Sequence, residues 1–477
     1  MSGLAHAAPV MVAIGLALSW TVVSAATPTP TPPTLRVDLM HSGNALSDDY
    51  ALERVVVEPL PWPGHPGRPI DDSNRGQNLF EVVDPKTQRV LYSRGYSTVF
   101  GEWRTTNEAL QRNRGFQESV RFPRPDQPVR LRILQRDERN SFSVVWSTDI
   151  DPAALDVQVE LRPAPARVIA IRAHGDPAAK VDLLILGDGY TAAELDKFEA
   201  DARRLSDHLF SVSPFRERAA DFNVWALTVP TRQSGISRPS TGTHRDSALN
   251  TRYDIFGSER YVLTTDNRAF RELAQYAPYE FVEILVNNDT YGGGGIFGQF
   301  STAAASSDWA DYLFVHEFGH HFAALADEYY TSPTAYIAGE ERPEPWEPNV
   351  TARTGRAALK WHRQVAAGTP LPTPWPKTAF EAFQKESQAK RVQLRKDKRP
   401  ETEMSALFRA EADFTEALFR QHPNRSLVGA FEGANYQASG YYRPAMQCTM
   451  FDRSTAFCPV CQDAITAIID LYVRPTD

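Results

Sequence analysis

Residues 316–320 read His-Glu-Phe-Gly-His, inside the largely apolar run Tyr312–Phe322. This stretch constrains the fold more than any other in the chain. Two histidines four residues apart project from one face of a helix, about 40° apart, and can meet a single ion there. Glu317 then sits where its carboxylate reaches a water on that ion, which a metal makes acidic. Tyr312, Leu313, Phe314 and Val315 give the same helix an apolar side to bury. The spacing therefore predicts a core helix whose polar face lines a cavity, with His316 and His320 as ligands and Glu317 as base. His321 lies about 100° around from His320 and is read as a packing or hydrogen-bonding residue.

Two histidines need a third ligand. A common zinc-protease spacing puts a His or Asp ten residues after the first histidine and a Gly seven after it, but those positions here are Ala326 and Ala323. Asp327 comes eleven residues after His316. In an unbroken helix it would lie about 10 Å beyond His320 along the axis. Asp327 can share the ion only if the helix stops near Ala323–Ala324 and the chain turns back. Glu328 is the alternative, and His244, His362, Glu341 or Glu344 are more distant ones.

A chain of 477 residues implies two or three domains, and a hydrophobic content of 42% is ample for packed cores. The net charge of −8 argues against a nucleic-acid partner. Residues 9–23 are apolar and end in Val23-Ser24-Ala25-Ala26, the pattern of a cleaved secretory leader over 1–25. Export to the periplasm or medium follows, with no stable membrane insertion after cleavage. Residues 26–34 are a Pro/Thr tether. Residues 35–162 alternate like strands and predict an all-β sandwich, joined by the linker Arg162–Arg167 to an α/β domain over 167–477. There, Val181–Tyr190, Phe222–Val229 and Phe281–Asn288 read as buried strands, and Thr191 with Glu194 forms a capping box. Gly292–Gly295 lacks the Lys-Ser/Thr of a phosphate loop and is read as a turn where another backbone comes close. Residues 378–398 and 401–420 are charged and read as solvated helices. Oligomeric state is not encoded in any recognisable pattern.

The segment His316–Tyr330, together with 184–198, 214–225, 285–296 and 441–461, resembles blocks of the IgA-peptidase family of secreted, metzincin-like zinc metallopeptidases, in family order. The resemblance implies an endopeptidase with one catalytic Zn2+ held by His316, His320 and an acidic third ligand, Glu317 as general base, and a protein or peptide substrate. It implies a methionine turn beneath the zinc, for which Met450 is the choice and Met446 the alternative. It further suggests oxyanion support from Tyr441, Tyr442 or Arg443, and a cleft-edge strand at Val286, Asn287, Gly292 and Gly293 that pairs with substrate. Cys448, Cys458 and Cys461 lack a second cysteine pair to complete a structural zinc site. A disulfide from Cys448 to Cys458 or Cys461 is expected to pin the methionine turn. The rival function is a secreted adhesin or binding protein that keeps a zinc site with little turnover.

Overall fold

The computed structural model describes residues 1–3, 31–332, 334–335 and 341–473. Nearly all of the expected leader, and the tether as far as Pro30, lie outside the described residues. No helix among the described residues is long and apolar enough to cross a membrane.

The alternation read from residue 35 onward does produce strands. The N-terminal elements are β1 (Pro33–Gly43), β2 (Asp48–Pro61), β3 (Asn78–Val83), β4 (Val90–Tyr96), α1 (Val99–Trp103), β5 (Arg114–Pro123), β6 (Val129–Arg136), β7 (Phe142–Ile150) and β8 (Gln158–Val159). They form two four-stranded sheets, ordered β5-β1-β2-β8 and β4-β3-β6-β7. Leu35, Val37 and Leu39 of β1 share one core with Phe80, Leu131 and Ile133 of the facing sheet. This is sheet-on-sheet packing with inward residues alternating along each strand.

The second part contains β9 (Ile169–Arg172), β10 (Val181–Asp188), α2 (Leu195–Leu209), β11 (Phe222–Thr228), α3 (Asn267–Ala274), β12 (Phe281–Val286), β13 (Gly293–Ile296), β14 (Phe300–Ala304), α4 (Ala310–Ala323), α5 (Lys377–Lys396), α6 (Glu401–Phe419), β15 (Phe431–Ala434), β16 (Gln437–Arg443) and α7 (Pro459–Tyr472). Six strands make one sheet ordered β13-β14-β12-β10-β11-β9. The inner four are parallel, and β13 and β9 run antiparallel at the edges. Strands β10 and β12 are buried at every position, as expected where a parallel sheet is covered on both faces.

The two parts on either side of the expected linker pack together within one compact unit, Pro32–Asp477. The outer face of β1 is also buried, and Arg36 there donates to the backbone of Arg271 (3.3 Å) and to Gln275 (3.4 Å) while pairing with Asp38 and Glu58. Arg121 donates to the Tyr279 carbonyl (2.9 Å) and stacks on its ring at 3.6 Å. Arginines alternating with apolar residues look solvent-facing in a sequence, but here they are the joint between the two parts. Two sequence expectations are corrected here: first, α5 and α6 are not simply solvated. Phe380, Met404, Phe408 and Phe419 are buried in the main core, and Phe383 stacks on Phe414 at 3.8 Å between the two helices. Second, the glycine run is a strand rather than a turn.

Candidate metal centre

That glycine strand brings α4 and the sheet together. A Cβ on Gly293 would come 2.9 Å from Glu317 Cγ, and one on Gly295 would lie 2.5 Å from the Glu317 carbonyl and 2.8 Å from His320 Cβ. Only a glycine edge lets the strand pass this close to the helix. Because β12 lies between β10 and β14, Val286 and Asn287 cannot form a cleft edge. The Asn287 side chain bridges Gly189 and Glu194 instead. Gly293 has both backbone groups engaged, with Arg260 and Val262. Gly295, two residues on, turns to the same side of β13 and lines the cleft.

Helix α4 stops where an Asp327 ligand requires. Ala324 takes a left-handed conformation (φ 54°), and its N–H and that of Leu325 bond back to His320 and Gly319. The chain reverses there, which the alanines did not announce, because glycine is the residue that adopts this conformation freely. Holding alanine there costs about 1 kcal/mol. Ala324→Gly is therefore expected to raise stability by up to about 1 kcal/mol with metal content unchanged, whereas the β-branched Ala324→Val lowers it. Urea unfolding of the three proteins checks this, and an unchanged or lower midpoint in the glycine variant would show that the turn is unstrained.

The reversal brings three ligand atoms together. His316 Nε2 and His320 Nε2 are 3.2 Å apart, and Asp327 Oδ1 is 3.1 Å from the first and 3.3 Å from the second. A tetrahedral zinc with bonds of about 2.0–2.1 Å sets its ligand atoms about 3.3–3.4 Å apart. Asp327 Oδ1 is buried beside the two imidazole nitrogens, an environment suited to a shared cation. The other sides of the ligands are fixed. His316 Nδ1 lies 2.9 Å from the Thr449 carbonyl and 3.1 Å from the Tyr312 hydroxyl, and His320 Nδ1 lies 2.5 Å from the Leu325 carbonyl. With Nδ1 donating to a carbonyl, each Nε2 keeps its lone pair for a metal. The Tyr436 hydroxyl donates to Asp327 Oδ2. These residues fit a single zinc ion.

The electrostatics agree. Burial opposes charge on Asp327, but the two imidazoles outweigh it and hold the carboxyl well below its ordinary range. Burial likewise opposes charge on His320, yet Asp327 pushes it up to about 9, so a cation that binds Nε2 takes the place of a proton there. The three groups favour positive charge between them. Glu317 has an oxygen within 4.8 Å of both histidine ligand atoms, but Asp327 Oδ1 is closer, at 3.1 and 3.3 Å. Burial raises the proton affinity of Glu317 in spite of His316 and His320, which suits a proton acceptor.

Met450 is fully buried, with its sulfur 3.1 Å from the Cβ position of Gly319, on the underside of α4. Met446 is equally buried. Glu328 turns away from the cleft: its N–H bonds to the Met450 carbonyl (2.8 Å), and its side chain accepts from Asn349 (2.9 Å). His321 accepts from the Val282 N–H through Nε2 (3.0 Å) and lies 3.1 Å from the Ile296 carbonyl through Nδ1. Burial holds it down to about 3, a neutral tie between strands. Of the distant alternatives, Glu344 pairs with Lys360 (3.4 Å) and His362 bonds to the Leu359 carbonyl (3.1 Å).

The suggested oxyanion donors are corrected. The Tyr441 hydroxyl donates to Pro343, Tyr442 pairs through its backbone with Thr351, and Arg443 is fully buried against Phe451. The expected disulfide is corrected too: all three cysteines are free thiols, and Cys448 and Cys461 have sulfurs 3.7 Å apart. Sequence reasoning missed Tyr312, Arg260, Tyr329 and Tyr436. Tyr312 could have been found, since it precedes His316 by one helical turn. Arg260 donates to the Tyr329 hydroxyl (3.0 Å), and its charge acts on both Glu317 and Asp327. Tyr436 sits with Asn435 at the tip of the β15–β16 hairpin, both with positive φ (60° and 49°). Asn-Gly is the usual pair at such a tip. A tyrosine is held there by its hydroxyl on Asp327 and its N–H on Tyr329 (3.1 Å).

All of this opens into a cleft of about 1070 Å³. Its walls include Gly295 and Arg260, Gln384 and Thr415 from α5 and α6, and Thr98 and Arg136 from the N-terminal part. The family described as IgA Peptidase M64 matches residues 169–469, and the one described as Peptidase M64 N-terminus matches residues 29–147. No curated protein matches the chain.

Proposed function

Because the chain belongs to the IgA peptidase M64 family, we propose that it is an exported, metzincin-like zinc endopeptidase with His316, His320 and Asp327 as ligands and Glu317 as general base. The observation that carries this is the 3.1–3.3 Å triangle of Nε2, Nε2 and Oδ1 at the floor of the cleft. A bound zinc supplies Lewis acidity, making a water acidic and polarising a carbonyl. The protein does the rest. An extended substrate pairs with the free side of β13 at Gly295 and lies between walls given by both parts of the chain. Glu317 takes a proton from the attacking water on its carboxylate oxygen and delivers it to the leaving amine. Arg260 stabilises negative charge developing at the scissile carbonyl, in place of Tyr441, Tyr442 or Arg443. Met450 packs beneath the ligand helix. The apolar N-terminal segment directs export, so the substrate is an extracellular or periplasmic protein.

Casein digestion tests the reading. Purified protein should cleave casein at internal bonds, a chelator should abolish cleavage, and added zinc should restore it. Cleavage that persists after verified removal of zinc, or no cleavage of several denatured proteins by zinc-loaded protein, would overturn it. The second result would favour a binding protein with a silent zinc site.

A further inference from the structure

The three thiols lie together with one carboxylate behind the cleft. We propose that Cys448, Cys458, Cys461 and Glu328 form a second, structural metal site that holds one zinc-class divalent cation. Their ligand atoms all lie within 4.8 Å of one another. None of the four residues is more than 4% exposed. One distance separates this arrangement from a disulfide. The Cys448 and Cys461 sulfurs are 3.7 Å apart, whereas a disulfide needs about 2.05 Å. Two thiolates on one tetrahedral zinc, with Zn–S bonds of about 2.3 Å, stand about 3.8 Å apart.

The fourth corner comes from a residue far away in sequence. Glu328 Oε1 accepts from Asn349 (2.9 Å) and from the Cys461 thiol (3.4 Å). Its Oε2 is buried with no hydrogen-bond partner. Unlike the other buried carboxylate oxygens without a partner, this one belongs to a group whose ligand atom lies within 4.8 Å of three thiols. Cys458 caps α7 and Cys461 lies in its first turn, so the Cys-x-x-Cys pair is presented by a helix N-terminus that favours thiolates. The Cys458 N–H also donates to Cys448 Sγ (3.3 Å). Charge is partly balanced nearby. Arg443 is fully buried, with Nε and Nη2 unpartnered, and acts on Glu328 and Cys448; Arg75 acts on Cys461. Three thiolates, one carboxylate and a divalent cation sum to −2, and these two guanidinium groups, which Asp71 and Asp452 also engage, offset part of it. Binding would displace three thiol protons and the carboxyl proton to solvent, with no change of oxidation state.

The position gives the site its purpose. Glu328 follows Asp327, and its N–H holds the Met450 carbonyl. Cys448 precedes Thr449, whose carbonyl holds His316. A cation here clips the Asp327 segment, the Thr449–Met450 turn and α7 into one rigid support. A soft, thiolate-rich set selects zinc over magnesium or calcium. The proposal stands independently of the peptidase reading.

Metal analysis of the full chain tests it. Wild type, dialysed against metal-free buffer, should retain two zinc per chain. The double variant His316→Ala/His320→Ala should retain one, and so should Cys458→Ser/Cys461→Ser. The histidine variant leaves the cysteines untouched, so it decides the matter even if the cysteine variant fails to fold. Loaded with cobalt(II), it should show the intense thiolate-to-metal absorption of a sulfur-ligated ion. One zinc in wild type with none in the histidine variant, a cobalt spectrum without that band, or a cystine peptide in the unreduced digest would each overturn the site. Two zinc per chain without casein cleavage would instead sink the peptidase reading alone.

Discussion

Glu317→Gln is expected to lower kcat for peptide cleavage by about 10²–10⁴-fold while zinc content stays at the wild-type level. The glutamine fills the same space beside Gly293 but cannot accept a proton. A general base contributes about this factor, equivalent to roughly 3–5 kcal/mol of barrier. Glu317 opens into the cleft beside the triangle of His316, His320 and Asp327. Because the ligands are untouched, KM should change little. Single-turnover cleavage of a quenched fluorescent peptide, with metal analysis of the same sample, reads both quantities. A glutamine variant with wild-type turnover would remove Glu317 from the chemistry.

Asp327→Ala is expected to empty the same centre. It removes one corner of the triangle and leaves His316 and His320 as a two-ligand site in a buried pocket. Loss of activity should therefore follow loss of metal rather than loss of a proton acceptor. Zinc affinity measured by competition with a chelating dye should fall by far more than the 10–100-fold typical of losing a supporting hydrogen bond. Tyr436→Phe supplies that comparison, because it deletes the hydroxyl on Asp327 Oδ2 and leaves the ligand in place. Equal affinities for the alanine variant and wild type at the histidine site would reject Asp327 as a ligand.

The local part of this site was legible because helical periodicity is a short-range rule. Five residues from His316 to His320 determine which side chains share a face, whatever the rest of the chain does. The buried strands at residues 181–188, 222–228 and 281–286 were legible for the same reason: continuous apolar runs can only be core. What these rules do not reach is the partner on the far side of a contact. Arg36 and Arg121 look like solvent-facing strand residues until α3 and the segment around Tyr279 are laid against them. Val286 and Asn287 look like the end of a strand, and only the sheet order shows β14 covering that side.

The third corner of the metal centre marks the boundary most clearly. The sequence by itself determined that two imidazoles share one helix face with a carboxylate beside them, and that Asp327 can reach them only if the chain reverses near Ala323–Ala324. Only the tertiary structure decided that alanine would accept a left-handed turn. It then placed Asp327 toward the histidines and Glu328 toward three cysteines more than a hundred residues away in sequence. The physical reason is that adjacent residues in an extended segment point to opposite sides. What waits on each side is settled by packing among segments distant in the chain.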